Sequence, residues 1–205
     1  FKNAVDKMIL DVQESGIEVH LNTVVTKEML EEIKPDALIV AIGSSPFVLP
    51  IEGSEKAIIA HDVLSEKVEV LGENVVIIGG GLVGFETAEF LAARQKKVTV
   101  LEMKEKALQD LGPLRQITAQ FAMAQMPITI ETSATVEKID DHAVVASGKE
   151  YPYDSVIMAV GSKANDTSMY TDLGIPTYII GDCKKAGVAL DAFKDAYHAV
   201  LEINK

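Results

Sequence analysis

Apolar positions near the start of the chain follow two different spacings. Residues 1–14 have helical spacing, with apolar side chains at Val5, Met8, Ile9 and Val12. Residues 17–21 alternate between apolar and polar side chains and predict a short strand. Residues 37–42 are continuously apolar, which is typical of a strand buried on both faces of a parallel sheet.

Strands and helices alternate over the rest of the chain. Strands are predicted over residues 74–78, 98–102, 128–130, 156–161 and 177–180, and those at 74–78 and 156–161 are expected to be buried. Helices are predicted over residues 82–94, 111–125 and 188–203, with a linker of short helical pieces over 44–72. Residues 132–153 alternate with polar breaks, which indicates a small antiparallel meander. The predicted fold class is therefore α/β, with Rossmann-like parallel sheets.

One pattern occurs twice. Asp36–Gly43 and Asp154–Gly161 each contain an aspartate, an apolar strand and the tripeptide Ala-x-Gly. We therefore expect two structurally related units in the chain.

Composition limits the partners that the chain can bind. Apolar residues make up 48% of the sequence and charged residues 24%, the balance of an ordinary globular protein. The formal net charge of −12 repels nucleic acid and anionic membrane surfaces, so neither is expected as a partner. The phosphates of a nucleotide would have to be bound by backbone N–H groups and helix ends.

Cysteine and histidine usage excludes several kinds of chemistry within this chain. A single cysteine, Cys183, allows no internal disulfide, no Cys-x-x-Cys redox pair and no iron–sulfur site with four cysteine ligands. The four histidines lack metal-ligand spacing, so we predict no metal site. We also identify no catalytic acid–base pair that must do covalent work. No apolar run is long enough to span a bilayer and no leader is recognised, so a cytoplasmic location is expected.

The glycine-rich segment after the strand at 74–78 carries the strongest chemical signal. It fits Gly-x-Gly-x-x-Gly between a strand and a helix, and the predicted binding residues are Gly79, Gly80, Gly81, Leu82, Val83 and Gly84. In such a motif the first glycine allows a tight turn, the second allows a pyrophosphate to approach the backbone, and the third allows helix and strand to pack closely. Ala88 keeps the same helix face small. The alternative is a flexible turn at an unrelated strand–helix junction.

An acidic residue ends the next strand. Glu102 follows Gly79 at close to the spacing of about 20 residues expected for a ribose-binding acid. A carboxylate accepts hydrogen bonds from ribose hydroxyls and repels a 2′-phosphate, so NAD(H) is expected in preference to NADP(H). Lys104 and Lys106 reduce that preference, and Met103 completes the predicted cofactor-binding set here. The alternative for Glu102 is a solvated strand end.

These motifs, in this order, resemble a known group of flavoproteins. The set comprises Asp36–Gly43, Gly79–Ala88 with Glu102, Asp154–Gly161, and Gly181-Asp182 before a final helix. It is similar to the disulfide-reductase-like flavoproteins with two dinucleotide-binding domains. Gly181-Asp182-Cys183 and the lack of a redox cysteine pair resemble the C-terminal region of the NADH:flavin oxidoreductase, 2,4-dienoyl-CoA reductase and trimethylamine dehydrogenase group.

The resemblance implies roles for further residues. The strand ends that cross between flavin and nicotinamide domains would include Ala41, Gly43, Val160 and Gly161. Gly181 and Asp182 would contact the flavin ribityl chain, Ala189 would lie at the flavin end of the last helix, and Glu86 would approach the nicotinamide. The alternatives are ordinary strand-end and turn residues, and for Glu86 a solvated carboxylate on a helix face.

The same resemblance implies a domain organisation and a set of cofactors. Residues 1–70 and 171–205 would form part of an FAD-type domain whose first glycine-rich motif lies upstream, and residues 71–170 an NAD(P)H-binding domain inserted in it. FAD would bind in the intact protein, and an upstream barrel would carry FMN and an iron–sulfur cluster. The upstream flavin and barrel region is thus an expected partner, and a homo-oligomer is compatible with the sequence. The isolated chain is expected to turn over little substrate.

The expected function is the transfer of hydride from NADH to flavin, as in an NADH:flavin oxidoreductase or an NADH oxidase. Three alternatives stay open: a regulatory NAD-binding module, a non-catalytic ADP-binding module, and a fragment of a disulfide reductase. Two other features predict little chemistry. Asn165-Asp166-Thr167 matches a glycosylation sequon that a cytoplasmic domain leaves unused, and Cys183 is expected to be an inert thiol.

Overall fold

The computed structural model describes residues 2–109, 111–123 and 125–205. Phe1 and Ala124, which belong to predicted helices, lie outside the described residues. The longer helices are α1 (Lys2–Glu14), α2 (Lys27–Ile33), α3 (Ala60–Leu64), α4 (Leu82–Ala92), α5 (Pro113–Met123) and α6 (Ala189–Ile203). Within the described ranges, no helix is long and apolar enough to cross a membrane.

A five-stranded parallel sheet forms the centre of the structure. Its strands are β3 (Ile58–Ile59), β4 (Asn74–Ile78), β5 (Lys97–Leu101), β6 (Ile128–Glu131) and β10 (Ser155–Met158), in the order β3-β10-β4-β5-β6. Both β4 and β10 are buried on both faces, as their continuous apolar sequences predict. One face packs against α3 and α4, and the other packs against an antiparallel meander. The α/β, Rossmann-like class is confirmed.

Smaller sheets complete the fold. The predicted meander consists of β7 (Val136–Ile139), β8 (Ala143–Ala146) and β9 (Lys149–Pro152). Two further strands, β1 (Leu38–Val40) and β12 (Thr177–Ile179), pair in parallel. Between these regions, β2 (Ser44–Pro46) pairs antiparallel with β11 (Ser162–Ala164), and we call this pair the crossover ribbon. The chain thus leaves β1 through one strand of the ribbon and returns to β12 through the other.

Two predictions about the N-terminal part are wrong. Residues 17–21 are not a strand, and Ile17, Val19 and Leu21 are exposed. A segment with alternating residues forms a strand only where a neighbouring strand pairs with it. Among the described residues, no strand pairs with residues 17–21. The run at 37–42 is not buried on both faces, since Ile39 and Ile42 are each 41% exposed. The faces of a strand are buried only where other elements pack over them, and neither residue belongs to a hydrophobic core of the described residues.

Asp154 joins the beginnings of two central strands. Its Oδ2 accepts hydrogen bonds from the backbone N–H groups of Glu73 and Asn74, at 2.9 and 2.7 Å, and from the Asn74 side chain at 3.1 Å. The N–H groups of Asn74 and Glu73 lower the pKa of Asp154 below its ordinary value. The aspartate of the second Asp-strand-Ala-x-Gly repeat therefore ties the start of β10 to the start of β4.

We expect the stability of the protein to depend on Asp154 in a pH-specific way. Because the folded-state pKa is lowered, the contribution is complete above the unfolded-state pKa of about 4 and is lost as pH falls through the folded-state value. Asp154→Asn should therefore be less stable than the wild type at neutral pH, and the difference should shrink in acid. Urea unfolding between neutral and acidic pH measures it. Asp36→Asn, at the equivalent position before β1, removes the same charge as a control; an equal pH-dependent loss there would contradict the assignment.

Candidate functional site

The glycine-rich turn lies at the carboxyl end of β4. Gly79 has a φ of +107°, and a Cβ on it would lie 2.4 Å from the carbonyl oxygen of Ala159 at the end of β10. Its backbone N–H donates to Leu101 O at 2.8 Å, which ties the turn to the end of β5. Only glycine satisfies both the left-handed conformation and the contact with the neighbouring strand.

The third glycine of the motif brings α4 against the turn. A Cβ on Gly84 would lie 1.9 Å from the carbonyl oxygen of Gly79. Thr87 and Ala88, on the following turn, are fully buried, in agreement with the small helix face expected there. Helix and strand therefore meet with no room for a side chain at this position.

Gly81 is the N-cap of α4, and Phe85 N donates to Gly81 O at 3.0 Å as the helix begins. The N–H groups in the first turn of an α-helix have no acceptor within the helix, and the helix dipole is positive at this end. Leu82 and Val83 occupy that first turn and are half-buried. The turn is therefore suited to bind an anionic group such as a pyrophosphate.

Glu102 lies directly beside this turn. The residue is 7% exposed, and its Oε2 and Oε1 accept hydrogen bonds from Gly80 N and Lys104 N, both at 2.8 Å. A Cβ on Gly80 would lie 2.9 Å from the Cβ of Glu102, so the second glycine of the Gly79-Gly80-Gly81 run makes room for the acid. Each carboxylate oxygen retains a second lone-pair direction for a hydroxyl group. Two residues of the predicted set are less confined: Met103 is 68% exposed and Glu86 is half-buried on α4.

The predicted strand ends adjoin the crossover ribbon. Ala41 and Gly43 follow β1, while Val160 and Gly161 follow β10. Gly43 and Gly161 both have positive φ, at +72° and +94°, and each directly precedes a strand of the ribbon. The two repeats of the Asp-strand-Ala-x-Gly pattern are thus followed by strands that pair with each other.

A second group of predicted residues lies where β12 leads into α6. Asp182 is half-buried, and its Oδ2 accepts from Ser44 Oγ at 3.1 Å while its Oδ1 accepts from Gly187 N at 3.2 Å. Gly181 has a φ of +63°, and its N–H donates to Asp195 Oδ2 at 3.2 Å. Ala189 is the exposed first residue of α6. This arrangement brings Ser44 of the ribbon to the Gly181-Asp182 turn.

Sequence reasoning did not find two residues that support this turn. Ser44 bonds to Asp182 across 138 positions of sequence, and Asp195 on α6 accepts from Gly181 N and from Lys184 Nζ at 2.6 Å. The Lys184 ammonium lowers the pKa of Asp195 below its ordinary value. A lone serine and a helical aspartate carry no motif, so only the folded chain reveals these roles.

Cys183 has the environment of a structural residue. It is 5% exposed, and its Sγ lies 3.3 Å from Val40 O and 3.1 Å from Ile180 O. Among the residues that the structure describes, no group of three or more His, Cys, Asp or Glu side chains could hold a metal ion.

Comparison with known proteins identifies the family of this chain. The pyridine nucleotide-disulphide oxidoreductase family matches residues 2–184. A cinnamate reductase of Clostridium sporogenes is 35% identical over 202 residues, which cover 94% of this chain and 30% of that protein. An NADH oxidase of Thermoanaerobacter brockii is 32% identical over 211 residues, which cover 97% of this chain and 32% of that protein.

A solved structure of 2-naphthoyl-CoA reductase with 2-naphthoyl-CoA superposes with a TM-score of 0.79 at 32% identity, over 91% of this chain and 30% of that one. This chain thus spans about a third of the length of these relatives. The family model matches most of the chain's length, and the chain therefore belongs to the pyridine nucleotide-disulphide oxidoreductase family.

Proposed function

We propose that this chain is the NAD(H)-binding part of a flavin-dependent oxidoreductase of the NADH:flavin oxidoreductase, 2,4-dienoyl-CoA reductase and trimethylamine dehydrogenase group. The observation that carries the proposal is the position of Glu102. Its buried carboxylate is held by Gly80 N and Lys104 N at the rim of the glycine turn, where an adenosine ribose would follow a pyrophosphate.

Each part of the turn has a distinct task in this proposal. The backbone from Gly79 to Gly84, with the N-terminus of α4, binds the pyrophosphate without any lysine or arginine. Such backbone binding suits a chain with a net charge of −12, which provides no general attraction for phosphate. Glu102 orients the ribose through its remaining lone pairs. Met103 and Glu86 would lie at the edges of the same site.

Glu102 also selects the cofactor. A 2′-phosphate would have to approach a carboxylate that is already fixed by two hydrogen bonds and cannot turn away without breaking them. Electrostatic repulsion between the two anions therefore favours NAD(H) over NADP(H).

The flavin would lie on the side of β1, β12 and α6. Asp182 and Gly181 would contact its ribityl chain, Ala189 its ring end, and the crossover residues Ala41, Gly43, Val160 and Gly161 would lie between the two cofactors. When both cofactors are bound, the nicotinamide supplies a hydride that the flavin accepts. The protein orients the two rings and excludes water from between them.

The division into residues 1–70, 71–170 and 171–205 is part of this proposal, although β3 of the first segment belongs to the five-stranded sheet. The parallel pairing of β1 with β12 joins the first and third segments, and the five-stranded sheet lies almost entirely within the second. The relatives are about three times as long as this chain, which is consistent with an upstream FAD motif and a barrel that carries FMN and an iron–sulfur cluster.

Parallel calorimetric titrations with NADH, NADPH, ADP and FAD test this proposal. We expect NADH to bind more tightly than NADPH and ADP, and Gly81→Ala to weaken NADH binding about tenfold, since a Cβ would displace the pyrophosphate from one charge-assisted hydrogen bond. Gly112→Ala, which meets no atom within 4 Å, is the matched control. Equal affinity for ADP and NADH would instead support a non-catalytic ADP-binding module, and binding of FAD alone would refute the assignment of the turn.

A further inference from the structure

Asn165 makes three hydrogen bonds to residues 42–45, where the chain passes from β1 into β2. Its N–H donates to Gly43 O at 3.2 Å, its Nδ2 donates to Ile42 O at 2.7 Å, and its Oδ1 accepts from Ser45 Oγ at 2.7 Å. Asn165 directly follows β11, the returning strand of the crossover ribbon. We call residues 42–45 together with Asn165 the crossover clasp.

The chemistry of the clasp requires an asparagine. A backbone carbonyl can only accept, so the amide nitrogen must face Ile42 O, and the amide oxygen is then the group that faces Ser45 Oγ. An aspartate would place a second acceptor against the carbonyl of Ile42. An alanine would remove both side-chain bonds and retain only the backbone bond to Gly43.

The clasp lies where the chain changes from one sheet to the other. The ribbon strands link the β1–β12 sheet with the five-stranded sheet, and Gly43 and Gly161 give their ends rotational freedom that other residues lack. Phe47 N donates to Gly161 O at 2.9 Å, so the segment that follows β2 is also bonded to the segment that precedes β11. A short two-stranded pair is only marginally stable by itself, so side-chain bonds at its end contribute strongly to its rigidity.

We propose that Asn165 is a positioning residue that fixes the angle between the β1–β12 sheet with α6 and the five-stranded sheet, and hence the approach of a bound nicotinamide towards the flavin side. This inference rests on the proposed function for its consequence in hydride transfer. The orientation itself depends only on the contacts of the clasp.

Nuclear magnetic resonance of Asn165→Asp tests the orientation. In the wild type, one alignment tensor should fit the amide residual dipolar couplings of both β4–β5 and α6. In the variant, the α6 couplings should require a separate, weaker tensor, and the amide of Phe47 should exchange with solvent about tenfold faster, as the loss of one hydrogen bond implies. NADH affinity and the exchange of amides within β4 should not change, because a defect confined to the clasp leaves the glycine turn intact.

Two further variants complete the test. Asn204→Asp is the matched control, since the Asn204 side chain also donates to a backbone carbonyl, Val200 O at 2.9 Å, but lies at the end of α6. Ser45→Ala removes a single bond of the clasp and serves if Asn165→Asp does not fold. The inference would be overturned if one alignment tensor still fitted the couplings of β4–β5 and α6 in both Asn165→Asp and Ser45→Ala. It would also be overturned if Asn204→Asp changed the α6 couplings as much as Asn165→Asp does. Failure of the wild type to bind NADH would instead refute the proposed function and leave the tensor comparison as the test of orientation.

Discussion

Gly84→Ala is expected to destabilise the protein by about 3 kcal/mol, at the upper end of what overpacking a close-packed site costs. The added Cβ would lie 1.9 Å from Gly79 O, a backbone atom that cannot rotate aside. Relief requires α4 to move away from the end of β4, which also opens the packing around the fully buried Ala88. Urea unfolding followed by circular dichroism measures the loss.

Two glycine variants separate the causes of this effect. Gly112→Ala meets no atom within 4 Å and should change stability by less than about 0.5 kcal/mol. Gly161→Ala also meets no atom but has a φ of +94°, so it should cost about 1–2 kcal/mol from backbone strain alone. If Gly84→Ala were as stable as Gly112→Ala, the close approach of α4 to the turn would not be a requirement of the fold.

Glu102→Ala is expected to lower the affinity for NADH about 100-fold and to reverse the preference towards NADPH. The loss corresponds to two ribose hydrogen bonds to a carboxylate, each worth about 1.5 kcal/mol, where 1.4 kcal/mol is a tenfold change. The gain for NADPH arises because Gly80 N and Lys104 N, which now donate to Glu102, become donors for a 2′-phosphate. Calorimetric titration of both cofactors gives the ratio.

Glu105→Ala is the matched control for this change. Glu105 is an exposed acid three positions further on, so its removal alters the net charge equally without touching the turn. An equal effect of Glu105→Ala on the ratio of NADH to NADPH affinity would mean that overall charge, and not the contacts of Glu102, sets the preference. Unchanged NADH affinity in Glu102→Ala would remove Glu102 from the binding site.

The local part of the site could be predicted from the sequence because its requirements are local. A turn between a buried strand and a helix needs glycine where φ is positive and where backbone atoms approach, and Gly79 and Gly84 meet those requirements within six residues. The register of β4 with β5 then brings Glu102 to the turn, since Ile78 pairs with Leu101. The position of an acid at the end of one strand relative to the turn at the end of its neighbour follows from strand lengths, so it can be predicted without distant contacts.

The long-range part could not be predicted. Nothing in the pattern of apolar residues indicates that β10 lies between β3 and β4, because strand order depends on the packing of whole elements. The hydrogen bond from Asn165 Nδ2 to Ile42 O joins positions separated by 123 residues, and the sequence there suggests only an unused sequon. The exposure of Ile39 likewise depends on which elements pack over the faces of β1, and Ile39 belongs to no hydrophobic core of the described residues.

The crossover ribbon has a consequence for how this architecture can be assembled and rearranged. Ser44 and Ala164 are register partners in the ribbon, so the two ends of the segment between them lie side by side, about 5 Å apart at their Cα atoms as in any antiparallel pair. A host fold therefore accommodates the whole segment as it would a single hairpin loop. Such a segment can be gained, exchanged or grafted between proteins at one position of the host, without a change in the path of the surrounding chain.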